Sequence, residues 1–157
     1  MTITSCIAST EAKDNYSCKR VHDGNLGEPG WMTYLGLGVG AWIKIDLDEI
    51  YRITKVKTMN RGTWHAPNTW NDNFKDILLG FSDGNIVNFT LTNIEYPDRV
   101  WDTIELVGNG DVITSSYVVI TALAVYNENE NVGNYGFAEL KVYGCPLGKI
   151  NDAGCNS

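Results

Sequence analysis

Metal-finger spacing is missing from this 157-residue chain: its four cysteines form no C-x-x-C pair, and only His22 and His65 exist to complete a site. Long apolar runs are missing too. No stretch approaches the roughly twenty residues needed to span a bilayer, so no membrane-spanning segment is expected. Positive charge is scarce, with 12 Lys and Arg against 19 Asp and Glu and a formal net charge of −7. Phosphate-rich partners need a basic footprint, so neither nucleic acid nor anionic lipid is expected as the main partner, although a local basic site stays compatible with that total. The first residues alternate like a strand and lack the basic-then-apolar pattern of a leader; a secreted form would have lost its signal. No amphipathic helix of useful length is legible, only a turn or two around residues 15–21.

What cysteine there is crowds the two ends: Cys6, Cys18, Cys145 and Cys155. An even count flanking one compact domain reads as two disulfides in an oxidising compartment, with four buried free thiols in a cytosolic protein as the alternative. Four cysteines allow three pairings. Two glycosylation sequons, at Asn15 and Asn88, agree with export, so a secreted or extracellular-surface location is expected.

Strand signals dominate the chain. They fall at residues 3–8, 42–47, 51–59, 77–81, 86–91, 101–107, 116–126 and 137–143, with Asp83-Gly84 as a hairpin turn between the fourth and fifth. Many short strands punctuated by Gly, Asn, Asp and Pro imply an all-β antiparallel sandwich or barrel. Three loops exceed what hairpins need: 27–40, rich in glycine; 60–73, with two tryptophans; and 127–135, rich in Asn and Glu. Binding residues concentrate on such loops.

Catalytic motifs fail on context. Residues 36–41 satisfy G-x-G-x-x-G/A, but a dinucleotide fingerprint must open a helix, and a strand follows. Residues 80–84 satisfy G-x-S-x-G, yet Ser82 precedes a hairpin rather than a helix. Residues 127–133 loosely follow a calcium loop, with the glycine one place late and no flanking helices. No nucleophile is evident, and the reading is of a non-enzyme; only a carboxylate pair assembled by the fold would change it.

Three binding constellations remain. Asp23 and Asn25 flank a glycine, and Glu139 is a carboxylate set just before the apolar alternation of the last strand; hard cations want such oxygens, although D-G-N on composition alone is more often an ordinary turn. The 60–73 loop offers Arg61, Trp64, His65, Asn68, Trp70 and Asn71. Indoles supply a platform for a sugar's C–H face, and the planar polar groups serve its hydroxyls, unless Trp64 and Trp70 fold back as core plugs. The 127–135 loop adds Asn127, Asn131 and Tyr135 as a polar wall beside Glu139, with a merely solvated loop as the alternative.

These motifs, taken in order, resemble the galactose-binding-like superfamily: discoidin (coagulation factor V/VIII type C) domains and family-32 carbohydrate-binding modules. Residues 21–25 (V-H-D-G-N) leading to Trp31 are similar to A-x-D-G-N…W, and 41–47 (A-W-I-K-I-D-L) to W-x-x-[IV]-D-L. Residues 51–56 resemble the next strand, 81–84 the S-x-D-G hairpin, and 136–144 (G-F-A-E-L-K-V-Y-G) the closing G-x-A-E-[IL]-x-[VL]-Y-G. The likeness runs from about residue 3 to 145.

The resemblance implies an eight-stranded antiparallel jelly-roll β-sandwich over residues 1–145, followed by a tail, 146–157, tethered by a disulfide. It implies a structural calcium, or sodium, bound by side-chain oxygens of Asp23 and Glu139 and main-chain oxygens of Arg20, Asn25 and Ala138. The family's threonine ligand falls near Glu28, with one extra residue before Trp31, and a glutamate can serve there. Fucose-binding relatives use R-x-D where Lys44–Asp46 stands, so fucose is not implied. The sugar-binding-like domain of galactose oxidase has cysteines matching Cys6 and Cys18, which implies a Cys6–Cys18 bond and leaves Cys145–Cys155. The implied function is a non-catalytic, lectin-like module for glycans of galactose type or related sugars; weak binding of a single sugar would call for a homo-oligomer or tandem copies to give avidity. The other implied role is a discoidin-type adhesion module for protein or lipid.

Overall fold

The computed structural model describes residues 1–25, 30–61, 73–94, 98–107, 112–127 and 133–149. Eight strands form in chain order: β1 (Ile3–Ala8), β2 (Trp31–Met32), β3 (Trp42–Asn60), β4 (Phe74–Phe81), β5 (Ile86–Thr90), β6 (Asp102–Glu105), β7 (Thr114–Val125) and β8 (Gly136–Pro146). Every pairing between them is antiparallel. Short 3-10 turns at Asp14–Tyr16, Cys18–His22 and Leu147–Lys149 are the only helical elements among the described residues. The expected antiparallel jelly-roll sandwich is the architecture observed.

One strand joins the two layers. The first half of β3 lies between β1 and β7, with Ile45 opposite Cys6 on one side and Val118 on the other. Beyond a register shift between Asp46 and Tyr51, its second half lies between β6 and β8, with Val56 opposite Ile104 and Val142. The sequence suggests two strands here because Asp48 and Glu49 interrupt the apolar pattern at the crossing. One layer therefore runs β1-β3-β7-β4-β5 and the other β6-β3-β8-β2. β2 has no sequence signal of its own, since two residues are too few to show alternation.

Period-two burial builds the core. Ile43, Ile45, Ile77, Leu79, Val118 and Ile120 point inward from one layer, and Ile53, Val56, Ile104 and Leu140 from the other. Trp31 occupies one end, its ring stacked at 5.9 Å on Phe74 and 6.2 Å on Phe137. Its indole N–H donates to the Thr10 carbonyl at 2.7 Å, so the one polar atom of the ring is satisfied. Cys6 and Cys18 are bonded, as the resemblance implied, with Cα atoms 5.7 Å apart. Cys145 is also disulfide-bonded; Cys155 lies outside the described residues.

Candidate functional site

The Cys18–His22 turn is pinned to β1 by the disulfide and packs on β8, with Val21 fully buried. The chain then turns through Asp23, Gly24 and Asn25. Asp23 Oδ1 accepts the Asn25 N–H at 2.8 Å, which closes the turn on itself. Gly24 has φ +76, a left-handed conformation that a side chain would strain.

Against this turn stands Glu139, opposite Met59 on β8 and only 1% exposed. Its Oε1 accepts the Gly24 N–H at 3.2 Å. Its Oε2 is buried and has no hydrogen-bond partner among the described residues. Burial pushes the carboxyl up to about 7; the Gly24 N–H pulls it down, Asp23's negative charge adds to the rise, and Lys141 opposes it. Gly30 passes the same place, where any side chain would run into the carbonyl oxygens of Phe137 and Ala138.

Two acidic side chains therefore converge where main-chain oxygens of β8 are close at hand. Such a donor set suits a hard cation, and the orphaned Oε2 is the atom a cation would satisfy. Among the described residues no group of three His, Cys, Asp or Glu side chains converges, so backbone oxygens would have to complete the shell. The main-chain positions named by the resemblance, Arg20, Asn25 and Ala138, lie in the turn and on β8; Glu28 lies outside the described residues.

The second constellation springs from the end of β3. Trp64, His65, Asn68, Trp70 and Asn71 lie outside the described residues, as does Asn131 of the neighbouring loop. Two buried asparagines hold the ends of the tryptophan loop. Asn60, 1% exposed, donates to the carbonyls of Phe74 and Thr92 at 3.0 and 3.2 Å and accepts the Phe74 N–H. Asn73, fully buried, donates to Asn93 Oδ1 and the Ile94 carbonyl at 2.9 and 2.6 Å. These two amides clamp the loop to the sandwich at both feet. The sequence reading passed over them; an asparagine at each end of a long loop was the available signal.

Arg61 is the first residue beyond the clamp. Its guanidinium donates to the Asn134 carbonyl at 3.0 Å and lies 5.8 Å from the Tyr16 ring centre. The arginine is thus held where the loop departs. Asn127, half-buried, lies at the end of β7. Tyr135 corrects an expectation. It is fully buried, its ring stacked on Phe74 at 6.1 Å and wedged between Gly38 and Gly133, where any side chain would overlap it. Such a ring supports the loop end from beneath and presents no surface to a ligand.

A further feature was missed. Tyr34, Leu35, Leu37 and Val39 are each 46% to 62% exposed in the glycine-rich loop. That loop is tied to the Arg61 region, since Gly36 N–H donates to the Gly133 carbonyl at 3.0 Å and Asn134 Nδ2 to the Thr33 carbonyl at 3.0 Å. Glycines alternating with apolar residues were its signal.

No family model and no curated protein matches the sequence. Solved structures do match. The family 32 carbohydrate-binding module from C. perfringens NanJ in complex with galactose aligns over 88% of this chain and 91% of its own, at 16% identity and TM-score 0.65. The F5/8 type C domain of a Bacteroides fragilis protein covers 91% and 92%, at 17% identity and TM-score 0.63. Chitosan-binding module 2 from a Paenibacillus chitosanase/glucanase, in complex with chitotriose, covers 89% and 95%, at 19% identity and TM-score 0.60. Larger chains of glycoside hydrolases also match, with this fold as one part. At such identities the likeness shows the fold alone: the antiparallel jelly-roll sandwich that these modules share.

Proposed function

From that fold as premise, we propose that this chain is a non-catalytic carbohydrate-binding module, acting outside the cell, whose ligand seat is the loop end at Arg61. The observation that carries this reading is the clamp of Asn60 and Asn73. It holds both ends of a segment whose sequence contains two indoles, an imidazole and amides, and a guanidinium is fixed at one of those ends. Aromatic faces stack on pyranose rings, and the planar donors and acceptors order the hydroxyls. Structural neighbours solved with galactose and with chitotriose support a sugar as ligand, without choosing one.

A structural calcium belongs to the proposal. Asp23 and Glu139 would hold it, with main-chain oxygens of Arg20, Asn25 and Ala138 and with Glu28 as a further oxygen donor. It would neutralise the buried carboxylate and join the last strand to the 23–25 turn. Stacking plus a few hydrogen bonds to one sugar gives weak affinity, about millimolar to high micromolar, so oligomers or tandem copies would supply avidity. A glycan array in calcium-containing buffer tests the reading; an array without hits would count against it.

The exposed Tyr34, Leu35, Leu37 and Val39 favour a second reading, an adhesion module whose apolar tips contact protein or lipid. Sedimentation with neutral liposomes, run beside the array, separates the two.

A further inference from the structure

The outward side of the β6-β3-β8 layer gathers cations in a protein that is otherwise short of them. Lys57 lies directly opposite Lys141, with Lys55 two residues along β3 and opposite Tyr143. Paired residues on adjacent strands are about 5 Å apart, and like charges so placed oppose the pairing. The inward-facing neighbours Val56, Thr58 and Leu140 are buried, so the alternation directs the three lysines outward, with Lys141 exposed and Lys55 and Lys57 half-buried.

Aromatic rings are interleaved with this charge. Lys141 Nζ sits 4.9 Å from the Trp101 ring centre, and Lys55 Nζ sits 5.8 Å from that of Tyr143. Opposing charge lies at the margins: Glu105 pairs with Lys55 at 3.2 Å, Glu139, two residues from Lys141, is buried, and Asp23 lies in the wall of the adjoining groove. Among the described residues neither Lys57 nor Lys141 has an ion-pair partner. That groove, of about 360 Å³, opens beside this face; Lys141 and Tyr143 stand in its wall, and Asp23 and Glu139 of the candidate cation site line it as well.

We propose that this face is a second binding surface, separate from the loop end, for a glycan chain bearing carboxylate or sulfate groups. Lys57 and Lys141 supply six N–H donors to one or two anionic groups, and Lys55 adds a third cation along the strand. Trp101 and Tyr143 offer apolar flanks for sugar rings between the charges. Charge complementarity selects an anionic chain. The total of −7 disfavours a long polyphosphate, which would meet the rest of the surface, whereas a short acidic glycan need touch only this patch.

The test is calorimetric titration with heparin oligosaccharides (sulfated) and oligogalacturonate (uronate), with neutral galactan oligosaccharides and a single-stranded oligodeoxynucleotide as controls. Binding of either acidic glycan, weakened by about tenfold or more in Lys57→Gln/Lys141→Gln and by added salt, is expected. Which of the two binds tells sulfate from carboxylate. Lys57→Arg/Lys141→Arg should retain binding. Melting curves of the glutamine variant, run beside the titration, separate lost binding from lost folding. Trp70→Ala should leave this binding intact while weakening neutral sugars, so the loop-end reading can fail independently. Absence of binding to both acidic glycans, equal binding by the glutamine variant, or equally tight binding of the oligodeoxynucleotide would overturn the proposal.

Discussion

Glu139 receives the N–H of Gly24 at 3.2 Å across a separation of 115 residues, and this bond ties the last strand to the turn at Asp23–Asn25. The other carboxylate oxygen is buried without a partner among the described residues. Ionised and unpaired, such a group disfavours the fold; paired with a cation, it supports it.

Chelation is therefore expected to lower the melting temperature. A ligand bound only by the folded state stabilises by about 2.7 kcal/mol at a concentration a hundred times its Kd, and a domain of this size moves about 2–4 °C per kcal/mol. Glu139→Gln keeps the shape and removes the charge. In EDTA it should melt no lower than the wild type, and calcium should no longer raise its melting temperature. Calorimetry with confirmed metal removal checks both; equal melting of the wild type with and without calcium defeats the cation site.

Much of the fold was legible because period-two patterns and the Asp83-Gly84 turn act locally. Residues 3–8 were located to the residue, and the pairing of Cys6 with Cys18 followed from a family likeness. Local patterns could not reveal that 42–60 is one strand, because its layer change depends on partners far away in sequence. Nor could they show that Tyr135 is core. Its neighbours Asn134 and Gly133 are polar or small, and only the fold brings Phe74, Gly38 and Gly133 around the ring. Asn60 and Asn73 looked like ordinary loop residues for the same reason: their acceptors are carbonyls of other segments.

The Cys6–Cys18 bond fixes the 3-10 turn that leads to Asp23. Closing a short loop of this kind stabilises by about 2–4 kcal/mol, and both sulfurs are buried. Cys6→Ala/Cys18→Ala should lose about that much in urea titration. It should also bind calcium more weakly, because the turn that positions Asp23 against Glu139 is released. Unchanged calcium affinity in a destabilised variant would mean that the turn is held by packing alone.

Acid should act through Asp46. Hydrogen bonds from Lys44, at 2.6 Å, and from the Ser5 hydroxyl, at 2.5 Å, hold its carboxyl below the ordinary aspartate range, against the effect of burial. A folded-state pKa below the unfolded one gives stability that is present above the unfolded value and lost as pH falls through the folded one. For a partly exposed pair this amounts to about 1 kcal/mol at most. Asp46→Asn should therefore be slightly less stable than the wild type at pH 7, with the gap closing in strongly acidic buffer. A gap of constant size across that range would assign the loss to the altered β1–β3 contact.

Sugar binding at the loop end should depend on the frame and on the platform in different ways. Trp64→Ala and Trp70→Ala remove stacking surface, so the one that contacts sugar should weaken binding by about tenfold, corresponding to about 1.4 kcal/mol, with little change in melting. Asn73→Ala leaves the buried Ile94 carbonyl and Asn93 side chain without their donor, a change that costs about 1–3 kcal/mol. That variant should lose both stability and affinity, because the loop is freed at one foot. Arg61→Lys keeps the charge but not the planar fork that reaches the Asn134 carbonyl, and affinity should fall while melting stays near the wild type. Titration of a sugar identified on the array, beside melting curves for the four variants, separates these roles. If neither tryptophan variant weakens binding, the indoles are packing groups and the sugar must be held elsewhere.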